Sequence, residues 1–398
     1  MARYRLYPTP QQEEQLREHC RAARYVWNLA LEQQKFFRRS SRWWRPPTPA
    51  ARMVQLTEVR REYPWMKAGS QMVQQQALND FDQAMRNFFA GVSRFPRWRK
   101  QGRDEGFRVV ALNRGDKLRV LNRKNGEVWI PKVGWVRFRL SRPIPHGVKS
   151  CRVTLDRSGR WHVAFAVTPP PIPGPGTGEI VGVDRGVAHA ATLSNGEFFD
   201  YHRPDLDKKI SRLNRQLARK QPGSKRREKA RLRLAKVSAH KTAGRKDAIE
   251  KFTTDVARRF DIIRLEQLDV HAMTRSAKGT VEEPGVNVRS TAALNHAILD
   301  KSWGMMARRL EEKAPGRVYY VNPAYTSQRC HQCGHVAVKN RENQTDFNCK
   351  ACSHTDNADV NAARNIAAGY AVTARGGSKV FEPVNREPQN LRVLESVT

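Results

Sequence analysis

Two Cys-x-x-Cys pairs, Cys330–Cys333 and Cys349–Cys352, stand close together in the last fifth of the chain. Four thiolates offered by two tight turns suit a tetrahedral Zn2+ ion, and a site closed by four ligands is structural, with no position open for a substrate. Two disulfides, or four buried thiols, are the plainer alternatives. The rest of the chain does not look secreted, which favours the metal. His331, His335 and His354 lie among the cysteines and read as surface or supporting groups, because the cysteines already fill the shell. Catalysis must then come from what the cysteine segment interrupts. Three acids recur at element boundaries: Asp184 and Glu266 at the ends of short apolar runs, and Asp359 at a helix start just past the last cysteine. One such acid is usually a cap or turn residue. Three of them in a strongly basic chain suggest another use. Two-metal hydrolysis of a phosphodiester needs a few carboxylates converging on ions about 3.5–4 Å apart, one ion preparing the water and the other steadying the leaving oxygen. Carboxylate ligands suit Mg2+ or Mn2+.

The elements that position these residues belong to a chain of 398 residues, long enough for two or three domains with cores of their own. It carries 73 Lys and Arg against 38 Asp and Glu, a net charge of +35. Such an excess repels itself and calls for a polyanion. A membrane surface is the rival partner, but no apolar run is long enough to span a bilayer and the N-terminal residues lack the apolar core of a signal peptide. Nucleic acid is the better reading. Cys20 and Cys151 stand apart from the other four cysteines, as in a reducing cytosol.

Taken in order, residues 3–8 read as a strand stopped by Pro8. Thr9-Pro10 opens a helix that runs through Leu31. A second helix is expected from about Ser70 to Val92, with Met72, Leu78, Phe81, Met85, Phe88 and Phe89 on one core face. The basic and aromatic segment Arg94–Lys100 suits contact with a nucleic-acid backbone, or is simply a capped surface turn. From about 106 to 168 the period is two, with turns at Lys124-Asn125-Gly126 and Arg157–Gly159, which predicts a small antiparallel barrel or sandwich. The Pro- and Gly-rich segment 169–178 is a linker and follows no strand, so it is not a dinucleotide fingerprint. Strands are expected at 179–184, 188–193 and 197–201, the last two joined by Asn195-Gly196. Between Lys208 and Lys246 the charges are Lys and Arg except for Glu228, on two helices parted by Pro222-Gly223; a phosphate-tracking groove is favoured over a solvated face. A strand ends at Glu266, residues 272–290 form a mobile loop, 291–313 a helix with Leu294, Ile298 and Met305 on one face, and 317–323 a strand. A short helix follows Asp359 to about Ala368, and the last thirty residues are expected to be disordered.

At these residues the chain resembles the TnpB proteins of insertion sequences, miniature relatives of the type V CRISPR effectors. The resemblance runs over nearly the whole length. It includes Arg5-Leu-Tyr-Pro-Thr-Pro-x-Gln12, Phe95-Pro-x-Trp-x-Lys100, Gly-Val-Asp184-Arg-Gly and Leu-Glu266-x-Leu. Its most specific part is Tyr325-Thr-Ser-Gln-x-Cys-x-x-Cys-Gly334, the second cysteine pair, and Asp359-x-Asn-Ala-Ala-x-Asn-Ile366. Cys352 is followed by Ser353-His354, where many relatives have Gly.

The resemblance implies a multidomain α/β protein. An RNase H-like RuvC nuclease would begin at 179, with 179–319 as its first part (basic helices 208–246 included) and 357–368 as its second. A zinc ribbon at 320–356, binding target nucleic acid, would be inserted between them. A wedge domain would comprise the strand 1–10 and the β-barrel 106–168, with a helical recognition lobe at 11–105, the linker at 169–178 and a disordered tail at 369–398. Asp184, Glu266 and Asp359 would be the catalytic acids that bind Mg2+ (or Mn2+), and Cys330, Cys333, Cys349 and Cys352 the Zn2+ ligands. The partners would be a guide RNA from the transposon end and double-stranded DNA beside a short flanking motif, with no membrane and no obligatory protein partner, in a prokaryotic cytoplasm on the nucleoid. Base pairing reads sequence in such a system, so the protein needs mostly backbone contacts; Arg5, Arg94, Arg97, Lys100, Arg137 and Arg139 are candidates, and the loop 272–290 is a candidate lid. The rival functions are an RNA-guided regulator that does not cut, a transposase or resolvase that cuts without RNA, and a zinc-ribbon nucleic-acid-binding protein with structural acids.

Overall fold

The computed structural model describes residues 2–40, 46–113, 115, 117–341, 343, 345–372 and 378–380. The chain divides into two compact units, one formed by 1–169 with 209–239 and the other by 170–208 with 240–398.

The first unit begins with β1 (Ala2–Arg5) and a long helix α1 (Pro10–Ser40). Thr9 and Gln12 exchange side-chain-to-backbone hydrogen bonds at its start, a reciprocal cap. Two helices that the periodicity did not suggest follow, α2 (Pro49–Glu62) and α3 (Pro64–Ala68), each with Pro at its first position. Helix α4 (Gln71–Phe89) buries Leu78, Phe81 and Met85 against α1, with Met72 and Phe88 half-buried beside them. Phe89 departs from the expected stripe and is 74% exposed.

The β-rich segment forms two sheets. Strands β1, β2 (Gly106–Val110), β6 (Ser150–Leu155) and β7 (Trp161–Ala166) take the order β1-β7-β6-β2, and β3 (Leu118–Asn122), β4 (Asn125–Ile130) and β5 (Gly134–Arg139) take the order β3-β4-β5. A bridge between Leu6 and Phe138 ties them, and Tyr4, Phe138 and Phe165 meet in the core between them. The turn falls at Arg123-Lys124, one step before the expected one, so Asn125-Gly126 lies inside β4. A side chain at Gly126 would strike the Phe138 ring at 2.5 Å, so packing rather than the turn requires glycine there.

The second unit is built on a mixed sheet. Strands β8 (Ile180–Asp184), β9 (Ala191–Leu193), β10 (Phe198–Phe199), β11 (Ile262–Glu266) and β12 (Val318–Val321) lie in the order β10-β9-β8-β11-β12, with β8, β11 and β12 parallel. The basic segment forms α5 (Pro204–Ala218) and α6 (Lys225–Arg259), of which residues 209–239 belong to the first unit; α6 runs well past Lys246 because Ile249, Val256 and Ala257 bury themselves in the sheet core. After the short α7 (Val270–Met273), Gly279 pairs with Pro284 inside the expected loop. The expected helix 291–313 is two helices, α8 (Val288–Lys301) and α9 (Trp303–Lys313), broken where Ser302 takes a left-handed backbone (φ 58°). Ile298 is buried and Met305 half-buried, but Leu294 is exposed. The cysteine segment adds β13 (Asp346–Asn348) and β14 (Thr355–Asn357), and α10 (Ala358–Ala368) follows at once. The expected disordered tail holds one short hairpin, β15 (Tyr370–Val372) with β16 (Ser378–Val380); its residues 373–377 and 381–398 lie outside the described ones.

Candidate active site

Strands β8 and β11 are parallel neighbours, with Val183 beside Leu265, so Asp184 and Glu266 end adjacent strands on the same edge of the sheet. Helix α10 brings the third acid. Its packing explains a glycine: a Cβ on Gly182 would lie 2.0 Å from the carbonyl oxygen of Ala363 and 2.4 Å from the amide of Ala367. Only a bare strand facing Ala363 and Ala367 lets the helix sit this close. Asn357 caps α10 by accepting from the amides of Asp359 and Val360 at 3.0 and 3.2 Å, which places Asp359 in its first turn.

The site is self-repelling, with Glu266 buried and Asp184 and Asp359 half-buried. Burial, then the charges of Glu266 and Asp359, push the Asp184 carboxyl up to about 8, against the weaker pull of Arg341 and Arg185. Burial also raises Glu266, which is 8% exposed. Each neighbour of Asp184 is held. The Thr326 hydroxyl donates to Glu266 Oε1 at 2.5 Å, and Arg185, itself buried, donates to the Glu266 backbone carbonyl. Arg341 pairs with Asp359 Oδ1 at 3.3 Å. The sequence argument missed Thr326, Arg185 and Arg341; the first two lie in motifs it singled out. Among the described residues, the three carboxylates do not bring their oxygens all within 4.8 Å of one another, whereas two other groups do so with their ligand atoms. Three oxygen donors, Glu266 buried and Asp184 and Asp359 half-buried, fit a hard divalent cation.

The first close group is Cys330, Cys333, Cys349 and Cys352. Sγ atoms lie 3.8 Å apart for Cys330–Cys352 and 3.5 Å for Cys333–Cys349. A disulfide would require about 2.05 Å, whereas thiolates at about 2.3 Å from a tetrahedral ion lie near 3.8 Å from one another. The donor set therefore fits a soft ion such as Zn2+. The two knuckles share one construction: the Cys330 amide donates to the His335 carbonyl, and the Cys349 amide to that of His354, both at 2.9 Å. Residues after the second cysteine of each pair take positive φ, Gly334 at 79° and Ser353 at 55°. Buried Asn340 joins the knuckles, donating to the carbonyls of Gln328 and His335 and accepting from the Lys350 amide.

The second close group is His331, His354 and Asp356. Arg364 donates to Asp356 Oδ2 at 2.7 Å, and Asn361 Oδ1 accepts from the His331 amide at 3.0 Å. These contacts make the group a brace between the cysteine knuckles and α10. Asn361 and Asn365, one turn apart on α10 and both buried, complete it. Asn361 donates to the Arg329 carbonyl, and Asn365 to those of Thr326 and Arg329. The same helix that carries Asp359 thus fixes Thr326, which holds Glu266.

The candidate nucleic-acid contacts lie in the first unit. Arg137 and Arg139 share the outer face of β5, alternating with buried Val136 and Phe138. Arg5 is exposed over the Tyr7 ring. Arg94, Arg97 and Lys100 are exposed on a segment whose backbone is tied to α1: the Trp27 indole donates to the Arg97 carbonyl and the Asn28 amide to that of Arg99.

Three sequence families match the chain. One described as "Probable transposase" covers residues 162–277, one described as "Cas12f1-like, TNB domain" covers 303–366, and one described as "Helix-turn-helix domain" covers 2–38. Over that last stretch the described residues form β1 and the single unbroken helix α1. An Escherichia coli (strain K12) protein, "Putative RNA-guided DNA endonuclease InsQ", is 37% identical over 401 residues, spanning 98% of this chain and 97% of that protein. A Streptomyces pristinaespiralis protein, "Putative RNA-guided DNA endonuclease", is 31% identical, spanning 94% and 90%. A solved Cas12f1–sgRNA–target DNA complex shares the fold at a TM-score of 0.56 and 12% identity, covering 90% of this chain and 83% of that one.

Proposed function

The chain belongs to the TnpB family of insertion sequences, and from that premise we propose that it is an RNA-guided DNA endonuclease whose single cutting site is Asp184, Glu266 and Asp359. The observation that carries this reading is the meeting of the three acids at one end of the sheet, with Asp184 raised to about 8 by burial and then by the charges of Glu266 and Asp359. Structural caps gain nothing from such repulsion. A site built for divalent cations needs it. The acids would hold Mg2+ or Mn2+, which when bound supplies Lewis acidity to an attacking water and charge stabilisation to the leaving oxygen. The protein's own part is positional. Thr326 and Arg185 keep Glu266 oriented, and Arg341 holds Asp359 and adds positive charge beside the acids. We assign the sheet β10-β9-β8-β11-β12 with α10 to a RuvC nuclease of RNase H-like fold. We likewise assign the cysteine knuckles to a zinc ribbon and the two sheets of the first unit to a wedge domain. A chain of net charge +35 supplies the attraction for both nucleic acids.

The test is to express the protein with its native flanking DNA, sequence the RNA that co-purifies, and assay Mg2+-dependent cutting of a matched plasmid beside Asp184→Ala. A discrete RNA whose 3′ segment directs cutting that the variant lacks is the expected result. Discrete RNA without cutting would make the protein a regulator, and cutting that needs no RNA would leave only the fold of the present reading.

A further inference from the structure

The outward face of the sheet β1-β7-β6-β2 carries an arrangement that the cutting site does not use. Strand register places Arg3 beside Ala164, Ala164 beside Arg152, and Arg152 beside Arg108. Residues in register on neighbouring strands share one face, so three arginines and one alanine form a single row across four strands. Like charges directly opposite each other destabilise a sheet, and Arg152 and Arg108 are direct cross-strand partners. A fourth guanidinium, Arg99, approaches the same spot while lying over the Trp27 ring at 3.7 Å. One carboxylate answers for three of these cations: Asp80 bonds Arg152 and lies 3.8 and 3.9 Å from Arg108 and Arg99. The other acid near the row, Asp156, accepts from Ser158 and the Arg160 amide, faces His162 at 3.0 Å and lends part of its charge to Arg3, so two carboxylates answer four guanidiniums. Charge is therefore left over on a rigid, accessible surface, with the Arg108 and Arg152 side chains 41% and 38% exposed. Between Arg3 and Arg152 the row carries only the methyl group of Ala164.

We propose that the row Arg3–Ala164–Arg152–Arg108, closed by Arg99, is a seat for the phosphodiester backbone of a bound nucleic acid. The planar guanidinium fork suits phosphate oxygens, and a backbone contact needs no sequence. The source of the phosphates rests on the guided-nuclease reading: the strand is the guide RNA or the target DNA.

The experiment compares wild type, Arg108→Gln and the double variant Arg108→Gln/Arg152→Gln as full chains. It reads the salt dependence of RNA binding and, separately, of target-DNA binding by the RNA-loaded protein. Two lost phosphate contacts lower the log–log salt slope by about 1.8 on a duplex or about 1.4 on a single strand. One of the two slopes should fall by that amount in the double variant and by half in the single, and which one falls names the strand. Arg108→Gln leaves the Arg152–Asp80 pair in place and removes a like-charge neighbour, so it should melt no lower than wild type. Both slopes unchanged in folded variants would overturn the proposal. If wild type holds no discrete RNA, the guided reading fails by itself, and the row is then judged by the same slope on a mixed-sequence duplex.

Discussion

Replacing Asp184 by Asn should stabilise the protein when no divalent cation occupies the acid site, and the gain should grow with pH. The folded carboxyl is raised from its ordinary 3.8 to about 8, so its contribution to stability is fully present below about 4 and is lost as pH rises through about 8. Four units at about 1.36 kcal/mol each set a ceiling of about 5 kcal/mol at pH 8. Water entry and side-chain adjustment should cut this to about 3 kcal/mol. At pH 5 little more than one unit separates the two states, and the ceiling is about 1.6 kcal/mol. For a unit of this size each kcal/mol moves the melting temperature by about 2–4 °C. Asp184→Asn should therefore melt about 6–12 °C above wild type at pH 8 and within about 3 °C of it at pH 5. The assay is a thermal melt of protein saturated with zinc and then exchanged into buffer free of Mg2+, so that the cysteine site is not stripped. Adding Mg2+ at about a hundred times its dissociation constant should raise wild type by about 2.7 kcal/mol and close or reverse the gap. A difference between the two proteins that stays constant from pH 5 to pH 8 would overturn this account, because neither burial of the Asp184 carboxyl nor repulsion by Glu266 and Asp359 could then be its cause.

Gly182→Ala should fail more severely than its one methyl suggests. The added carbon meets backbone atoms of α10 at 2.0 and 2.4 Å, so the helix must lift off β8 and take Asp359 with it; a loss of about 3 kcal/mol or more, with no cutting, is expected by melt and plasmid assay. Thr326→Val keeps the shape and removes the hydrogen bond that lowers Glu266. Cutting should then need about 10- to 100-fold more Mg2+ and recover at saturation, whereas an unchanged Mg2+ requirement would deny Thr326 its role. Ser353→Gly relieves a left-handed serine and should slow zinc loss to a chelator, with a net gain of about 0.5 kcal/mol after the added freedom of the unfolded chain; faster loss would contradict it.

How far the sequence spoke depended on whether a constraint was local. Spacing alone marked the cysteines, because a knuckle is a short-range object, and the acids at strand ends were legible for the same reason. The partners of those acids were not. Thr326 lies sixty residues from Glu266 in the chain and reaches it only because Asn361 and Asn365 hold the segment before Cys330 against α10. No periodicity reports such a contact, although both asparagines stood in a motif already singled out. Helix periodicity likewise found α4 but ran through Ser302, since serine carries no strong signal for a left-handed backbone. Helices α2 and α3 were passed over because α2 has almost no apolar stripe, burying only Arg52 and Leu56, with Arg52 paired to Asp82.

The dependence of the three acids on one helix has a consequence for how the site could be lost or kept. Helix α10 carries Asp359, presses on Gly182 two residues before Asp184, and anchors the segment that delivers Thr326 to Glu266. The cysteine knuckles are tied to the same helix through His331 and Asn361. An ion bound at the cysteines would therefore do more than fold a small insertion. It would fix the segment on which Glu266 relies, so metal at one site would lower the ordering cost of the other, although the two offer different donor atoms and suit different ions. A chain that kept its three acids but lost its cysteines would retain the charges of a nuclease without the geometry to use them.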